Sequence, residues 1–123
     1  MLKSIICVDD EPDMRKIVQM VLQTMGGFSV IVCDSGEAAL AQVAQGLPDL
    51  ILLDVMMPGL DGIETLQALK KGPAAAVPVA FMTAKTEPDE IEELKQAGAI
   101  GIIAKPFNPM TLAEQVAAVW ENR

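Results

Sequence analysis

The chain has 123 residues, a length that fits one domain, and we expect residues 1–123 to form a single domain. Nine basic and seventeen acidic residues give a net charge of −8, which argues against a nucleic-acid-binding surface, since such a surface needs clustered lysine and arginine. No apolar stretch approaches the roughly 20 residues of a membrane span, so we expect no membrane insertion.

Five short apolar segments predict β-strands, and they lie at residues 4–8, 28–33, 49–54, 77–82 and 99–104. Several are apolar at successive positions, a pattern typical of parallel strands that are buried on both faces of a sheet. Hydrophobic residues make up 51% of the chain but aromatic residues only 3%, so the core must consist of aliphatic side chains and methionine.

A helical pattern follows each of the five strands. The first places an apolar stripe on one helix face, with residues at offsets of three and four: Met14, Ile17, Val18, Val21, Leu22 and Met25. The expected start signals are Pro12, Asp34 with Glu37, Asp61 with Glu64, Thr86 with Asp89, and Asn108 with Pro109. The expected left-handed helix ends are Gly26, Gly46, Gly72 and Gly98. Five β–α units in series predict an α/β fold with a parallel sheet and helices on both sides.

Cysteine and histidine usage narrows the chemistry. Cys7 and Cys33 lie in apolar segments, and we interpret them as buried free thiols in a reducing compartment. The short apolar N-terminus ends at Asp9, too early for a signal peptide, so we expect a cytoplasmic protein. The absence of histidine argues against zinc sites and histidine acid–base catalysis.

Charged residues gather at predicted strand ends. Asp9, Asp10 and Glu11 follow the first strand, Asp54 ends the third and Lys105 follows the fifth. Ligands of open parallel sheets bind beyond these ends, where the aspartates converge if the first and third strands are neighbours. Clustered carboxylates repel one another, and a hard divalent ion such as Mg²⁺ would keep them ionised. A carboxylate beside such an ion and a lysine is also a competent phosphoryl acceptor.

Each of these residues also has an ordinary interpretation. Asp10 or Glu11 can cap the first helix, Asp54 can form a turn, Thr83 can cap a helix, and Lys105 can be a solvated surface residue. The net charge as a whole can simply serve solubility. Because the residues come from four separate strands and would share one rim, their combination favours a site.

Five separated motifs occur in a characteristic order: VDDE at 8–11, LLDVMMPGLDG at 52–62, MTA at 82–84, AGAIG at 97–101 and KPF at 105–107. Together they resemble the receiver domains of bacterial two-component response regulators, from Ile5 to about Trp120. The resemblance implies a flavodoxin-like, doubly wound, five-stranded parallel sheet in the order 2-1-3-4-5 with five helices. It also implies that residues 1–123 are a single receiver domain acting as a phosphoacceptor in signalling.

The resemblance assigns the acidic residues. Asp54 would be the phosphoacceptor. Asp10, Asp54 and the backbone carbonyl of Met56 would bind Mg²⁺ or Mn²⁺ directly, and Asp9 would act largely through water.

The resemblance also assigns the phosphate-side residues. Thr83 and the backbone N–H of Ala84 would bond phosphoryl oxygens, and Lys105 would pair with the phosphoryl group. The peptide bond between Lys105 and Pro106 would be cis.

One position departs from the family pattern. The switch position, three residues before the lysine, usually holds tyrosine or phenylalanine and here holds Ile102, which has no ring to turn inward. Met56 and Lys85 would flank the path of an attacking water, and Met56 orients water poorly, which predicts slow self-dephosphorylation. The fourth helix is acidic with a thin apolar stripe of Ile91 and Leu94, typical either of a solvated face or of a weakly anchored element that shifts on phosphorylation.

The resemblance further implies partners. The phosphoryl donor would be a sensor histidine kinase or phosphotransfer protein, and an output protein or fused effector domain would bind the face of the fourth helix, fifth strand and fifth helix. Beyond self-phosphorylation and self-dephosphorylation, no enzymatic turnover is implied.

Three alternatives stay open on the sequence. An aspartyl-phosphate phosphohydrolase of small molecules generally has a second aspartate where this chain has Met56. A flavodoxin-like cofactor binder would need a glycine-rich phosphate loop, which is missing. The third is a receiver that binds proteins independently of phosphorylation, against which the intact acidic set argues.

Overall fold

The computed structural model describes residues 1–123, in which five strands and five helices alternate. The strands are β1 (Ser4–Val8), β2 (Ser29–Cys33), β3 (Leu50–Asp54), β4 (Val79–Thr83) and β5 (Gly101–Ala104). The helices are α1 (Pro12–Gly26), α2 (Gly36–Val43), α3 (Gly62–Lys70), α4 (Pro88–Gln96) and α5 (Leu112–Glu121). The predicted α/β alternation is confirmed.

All strand pairs are parallel, and the order across the sheet is β2-β1-β3-β4-β5. This is the order that the family resemblance implied. Val8 lies beside Leu53, so β1 and β3 end next to each other, and Asp54 lies beside Met82 of β4. The carboxyl ends of the three central strands therefore form one rim.

The core has two layers, one on each face of the sheet. Ile6 and Val8 of β1 pack with α2, α3 and α4, whereas Ile5 and Cys7 pack with α1 and α5. Every residue of β3 and β4 is buried. Successive apolar residues along one strand thus serve opposite layers, which explains the unbroken apolar runs in the sequence.

Four of the strands begin later than predicted, and β3 does so by one residue, at Leu50. Phe28 lies outside β2, because its N–H donates to the Leu22 carbonyl and so helps to close the end of α1. β4 begins at Val79, since the preceding Pro78 has no N–H for the ladder. β5 begins at Gly101, where pairing with Ala80 starts.

Two of the predicted helix starts are correct. Pro12 opens α1, and Asp61 with Glu64 forms a reciprocal capping box on α3. For α2 the predicted cap Asp34 is wrong: the neighbouring Ser35 is the cap, and its hydroxyl accepts the Ala38 N–H at 3.0 Å.

The predicted starts of the last two helices are also wrong. Thr86 does not cap α4, which begins at Pro88 after Glu87 without a side-chain cap. Asn108 instead closes a tight turn by accepting the Met110 N–H at 2.9 Å, and α5 follows Thr111. In both cases a local cap signal fell in the connecting loop.

Helix ends and the α1 stripe need similar corrections. The left-handed residue after α1 is Gly27 (φ 69°), so Gly26 was misplaced by one residue, and Gly98 has the expected positive φ of 118°. Gly46 and Gly72 do not have positive φ. The buried α1 stripe is narrower than predicted, because only three of its six residues are fully buried: Val18, Val21 and Leu22.

None of the five helices combines the length and apolar character that crossing a bilayer requires.

Candidate functional site

Three aspartates meet at the rim of the sheet. Asp54 is the last residue of β3, and Asp9 directly follows β1, the neighbouring strand. Their side chains are buried, with relative exposures of 1% for Asp9 and 7% for Asp54, while Asp10 is exposed. One carboxylate oxygen from each of the three residues lies within 4.8 Å of the others.

A lysine joins two of these carboxylates. Lys105, directly after β5, places its Nζ 2.9 Å from Asp9 Oδ2 and 3.3 Å from Asp54 Oδ1. Its backbone N–H donates to the carbonyl of Thr83 at 2.8 Å, which fixes it against the end of β4. The peptide bond between Lys105 and Pro106 is cis, as predicted.

Burial and the neighbouring charges both shift the pKa values of the residues in this cluster. Burial raises the pKa of Asp54, the Lys105 ammonium lowers it, and the nearby charge of Asp9 raises it further, with a net upward shift. Burial alone would lower the pKa of Lys105, but its bonds to Asp9 and Asp54 outweigh burial and raise that pKa. Lys105 therefore stays protonated at neutral pH and supplies the positive charge of the site.

The donor set fits a hard divalent cation. Three carboxylates carry a formal charge of −3 and the Lys105 ammonium +1, which leaves −2 for a divalent ion to balance. The exposed Asp10 carboxylate takes part in none of the ion pairs of the fold. Carboxylate oxygens are the ligands that Mg²⁺ prefers in proteins.

Thr83 ends β4 on the same rim and is buried, with its Oγ1 accepting the Lys85 N–H at 3.0 Å. Ala84 follows it and is exposed. Beside Thr83, a cavity of about 280 Å³ is lined by both Met56 and Lys85. The two residues expected to flank the path of water thus border one space, which Thr83 also lines. Their effect on phosphoryl lifetime stays a prediction.

Ile102 lies apart from the rim, in the middle of β5. It pairs with Phe81 of β4 and is partly buried against the core layer shared by α2, α3 and α4. Its assignment as the switch position stays a prediction.

Sequence reasoning missed two features of the site. The Arg15 guanidinium donates from Nη1 to the backbone carbonyl of Asp9 at 2.8 Å, a contact that no motif indicated. Gly62, the first residue of α3, brings that helix against the Asp54 backbone. Its place in the motif at 52–62 was the only available signal.

Sequence comparisons identify relatives along the whole chain. MtrA of Mycolicibacterium smegmatis, a DNA-binding response regulator, is 36% identical over 118 residues, which are 96% of this chain and 50% of MtrA. The phosphate regulon transcriptional regulatory protein PhoB of Pseudomonas aeruginosa is 36% identical and is covered to 51%. The chain spans about half the length of these two relatives. The chemotaxis protein CheY of P. aeruginosa is 34% identical over 119 residues, with 96% of both chains covered.

Solved structures of response regulators are also similar to this chain. The chemotaxis response regulator CheY4 of Vibrio cholerae has a TM-score of 0.89 at 32% identity and covers 97% of this chain and 99% of its own. The BeF3-activated receiver domain of DrrB has a TM-score of 0.82 at 28% identity, with 98% and 99% covered. A family model described as the response regulator receiver domain matches residues 5–117. The chain therefore belongs to the response regulator receiver domain family.

Proposed function

We propose that residues 1–123 are a single receiver domain whose Asp54 carboxylate accepts a phosphoryl group from a phosphohistidine of a partner protein, with Mg²⁺ or Mn²⁺ bound. The observation that carries this proposal is the contact of Lys105 with Asp9 and Asp54, beside the exposed Asp10. The contact supports the proposal because three carboxylates and one ammonium group lie together on one rim. The domain family to which the chain belongs is a signalling family.

The acidic residues divide between acceptance and metal binding. Asp10 and Asp54 would supply carboxylate oxygens to the ion, and Met56 its backbone carbonyl. Asp9 would act through water, since its side chain already accepts bonds from Lys105 and from the Glu11 N–H. The bound ion would neutralise charge on the phosphoryl oxygens.

The transfer step is a single displacement at phosphorus. An Asp54 oxygen attacks in line, the P–N bond breaks, and its electron pair leaves with the imidazole, which is neutral because its other nitrogen carries a proton. The product is an acyl phosphate on Asp54. Lys105 would pair with the transferred oxygens, and the Thr83 hydroxyl and Ala84 N–H would donate to them. Attack by water on this acyl phosphate returns Asp54 and releases inorganic phosphate, with no other turnover.

The output partner would bind a different face of the domain from the one that carries the acidic cluster. Partner binding by α4, β5 and α5 would change after phosphorylation, through an output protein or a fused effector domain. MtrA is a DNA-binding response regulator and PhoB a transcriptional regulatory protein, which supports a fused effector as one arrangement. Ile102 would have to transmit the change by aliphatic repacking, because it has neither a ring nor a hydroxyl. The donor would be a sensor histidine kinase or phosphotransfer protein in the cytoplasm.

Phosphorylation with a small acyl-phosphate donor tests the proposal. With Mg²⁺ we expect intact-mass spectrometry to show a gain of one phosphoryl group, lost without Mg²⁺ and lost in Asp54→Asn. Asp34→Asn is the matched control, because Asp34 also follows a strand but is exposed and lies outside the acidic cluster. It should label like the unmutated protein.

Each contrary result has a distinct meaning. Labelling of Asp54→Asn at the unmutated rate would remove Asp54 as acceptor. Failure of the unmutated protein to label would leave a receiver that binds proteins independently of phosphorylation. Many turnovers per molecule on small phosphate esters would favour a phosphohydrolase.

A further inference from the structure

Every polar atom of Asp9 forms a hydrogen bond. Its N–H donates to the Cys33 carbonyl at 3.1 Å, and its Oδ1 accepts the Glu11 N–H at 2.9 Å. Its Oδ2 accepts a hydrogen bond from Lys105 Nζ at 2.9 Å, and its carbonyl accepts one from Arg15 Nη1 at 2.8 Å. Of these four partners, only Arg15 acts on the peptide unit that continues to Asp10.

That peptide unit controls where Asp10 points. The Asp9 carbonyl and the Asp10 N–H belong to one planar group, so a bond that fixes the carbonyl also fixes the plane. The direction in which the Asp10 side chain leaves the backbone depends on that plane. Asp10 itself is exposed and takes part in no ion pair, so its own side chain does not fix it.

Arg15 donates to the Asp9 carbonyl although several acidic residues lie close to it in the sequence. Four acidic residues lie within six positions before it, at Asp9, Asp10, Glu11 and Asp13, yet Arg15 forms a salt bridge with none of them. Its side chain is partly buried and runs back along α1 toward the helix start, the direction that helical side chains favour. α1 has no side-chain cap at Glu11, so this contact is the side-chain link between the helix and the acidic loop.

We infer that Arg15 is a positioning residue of the metal site, which aims the Asp10 carboxylate at the cation by locking the Asp9–Asp10 peptide. The inference rests on the proposed function, because it requires a divalent ion that Asp10 and Asp54 bind directly and Asp9 through water. Arg15 touches neither the ion nor the phosphoryl group. Its contribution is to the affinity for metal and not to the transfer step itself.

Two neighbouring substitutions distinguish the positioning effect of Arg15 from the effect of its positive charge. Arg15→Gln and Lys16→Gln each remove one positive charge from the same turn of α1, and Lys16 is exposed. If only charge mattered, both variants would bind a cation more tightly, because each removes repulsion. If Arg15 positions Asp10, Arg15→Gln must bind more weakly although it has lost that repulsion.

Mn²⁺ binding, followed by the electron paramagnetic resonance signal of the free ion, is the measurement. We expect Arg15→Gln to lose about 10-fold in affinity, as outer partners of metal ligands commonly do, and Lys16→Gln to match or slightly exceed the unmutated protein. Arg15→Lys, which keeps a donor for the carbonyl, should recover part of the loss. In acyl-phosphate labelling, the Mg²⁺ concentration for half-maximal rate should rise in Arg15→Gln, while the rate at saturating Mg²⁺ is retained.

The outcomes are distinguishable. Arg15→Gln binding Mn²⁺ as tightly as the unmutated protein would overturn the inference and leave the proposed function standing. A rate loss that saturating Mg²⁺ does not restore would also overturn it and would indicate a general structural role. An unmutated protein that binds no Mn²⁺ would remove both the inference and the metal site of the proposed function.

Discussion

Cys7 lies in the middle of β1, two residues before the acidic cluster. It pairs with Val32 of β2, whereas Cys33 pairs with Val8, so the two thiols point to opposite faces of the sheet. Both are free and buried, as predicted, whereas the reducing compartment stays a prediction. Burial, assisted by the negative charge of Asp9, raises the pKa of Cys7 from 9.0 to about 12.

This shift makes stability depend on alkaline pH. The thiol ionises near pH 9 in the unfolded chain but only near 12 in the folded one, so stability is complete below pH 9 and is lost as the pH rises toward 12. Between pH 8 and 10 we expect Cys7 to reduce the free energy of unfolding by about 1.4 kcal/mol. Urea unfolding at both pH values measures the loss.

Cys7→Ala is the control for that titration. It should be less stable at pH 8, because a cavity replaces the sulfur, but should lose less stability than the unmutated protein between pH 8 and 10. Equal losses in the two proteins would show that Cys7 does not carry the effect.

At the scale of elements, the approach of α3 to β3 depends on Gly62. A Cβ at this position would lie 2.5 Å from the Asp54 carbonyl oxygen, 2.8 Å from the Val55 Cα and 3.0 Å from the Phe81 ring. Two of these three atoms are backbone and cannot yield as a flexible side chain can. The first turn of α3 thus rests directly on the strand end that presents Asp54.

Gly62→Ala should therefore destabilise the domain by about 1–3 kcal/mol and slow the labelling of Asp54, because the strand end must move to admit a methyl group. Gly72→Ala, just past the end of the same helix, is the control, since its nearest atom is the Ala68 carbonyl at 3.9 Å. We expect urea unfolding to place Gly72→Ala close to the unmutated protein. Equal midpoints for the two variants would contradict the packing argument.

α3 follows the strand that ends at Asp54, and α4 follows the strand that ends at Thr83. The two helices differ in how many of their residues are buried. α3 and α4 each have nine residues, but α3 buries four of them, whereas α4 buries only Leu94. α4 also lacks the capping box that closes the start of α3. This low burial fits both expected alternatives, a solvated face over a small core contact and a weakly anchored element that shifts on phosphorylation.

Hydrogen exchange should reveal that difference. Because few buried contacts hold α4, we expect its amides to exchange faster than those of α3, the matched helix of equal length. Mass spectrometry of peptides covering 62–70 and 88–96 makes the comparison within one sample. Equal protection of the two helices would contradict a weakly anchored α4.

At the scale of the molecule, the sheet could be predicted because its signals are redundant. β1 was predicted with its observed bounds, and β3 within one residue, since a strand buried on both faces leaves an unbroken apolar run. The meeting of Asp9, Asp54 and Lys105 followed from their places at strand ends, given the order of the sheet.

What the sequence did not reveal depends on tertiary contacts. Asn108 carries a sound cap signal, yet the loop uses it for a turn, and α5 starts after Thr111. Ser35 and Asp34 are both good caps, and only the path of the chain after β2 selects Ser35. The bond from Arg15 to the Asp9 carbonyl involves a backbone atom, which leaves no mark in the composition.

The bond between Lys105 and Asp9 joins residues 96 positions apart. It can form only after β1, β3, β4 and β5 have assembled in order, because each supplies one wall of the rim. A complete but partly unfolded chain therefore has every residue of the site without the arrangement that brings them together. A kinase that depends on this arrangement would phosphorylate only folded molecules. Chains that have not finished folding would stay unphosphorylated.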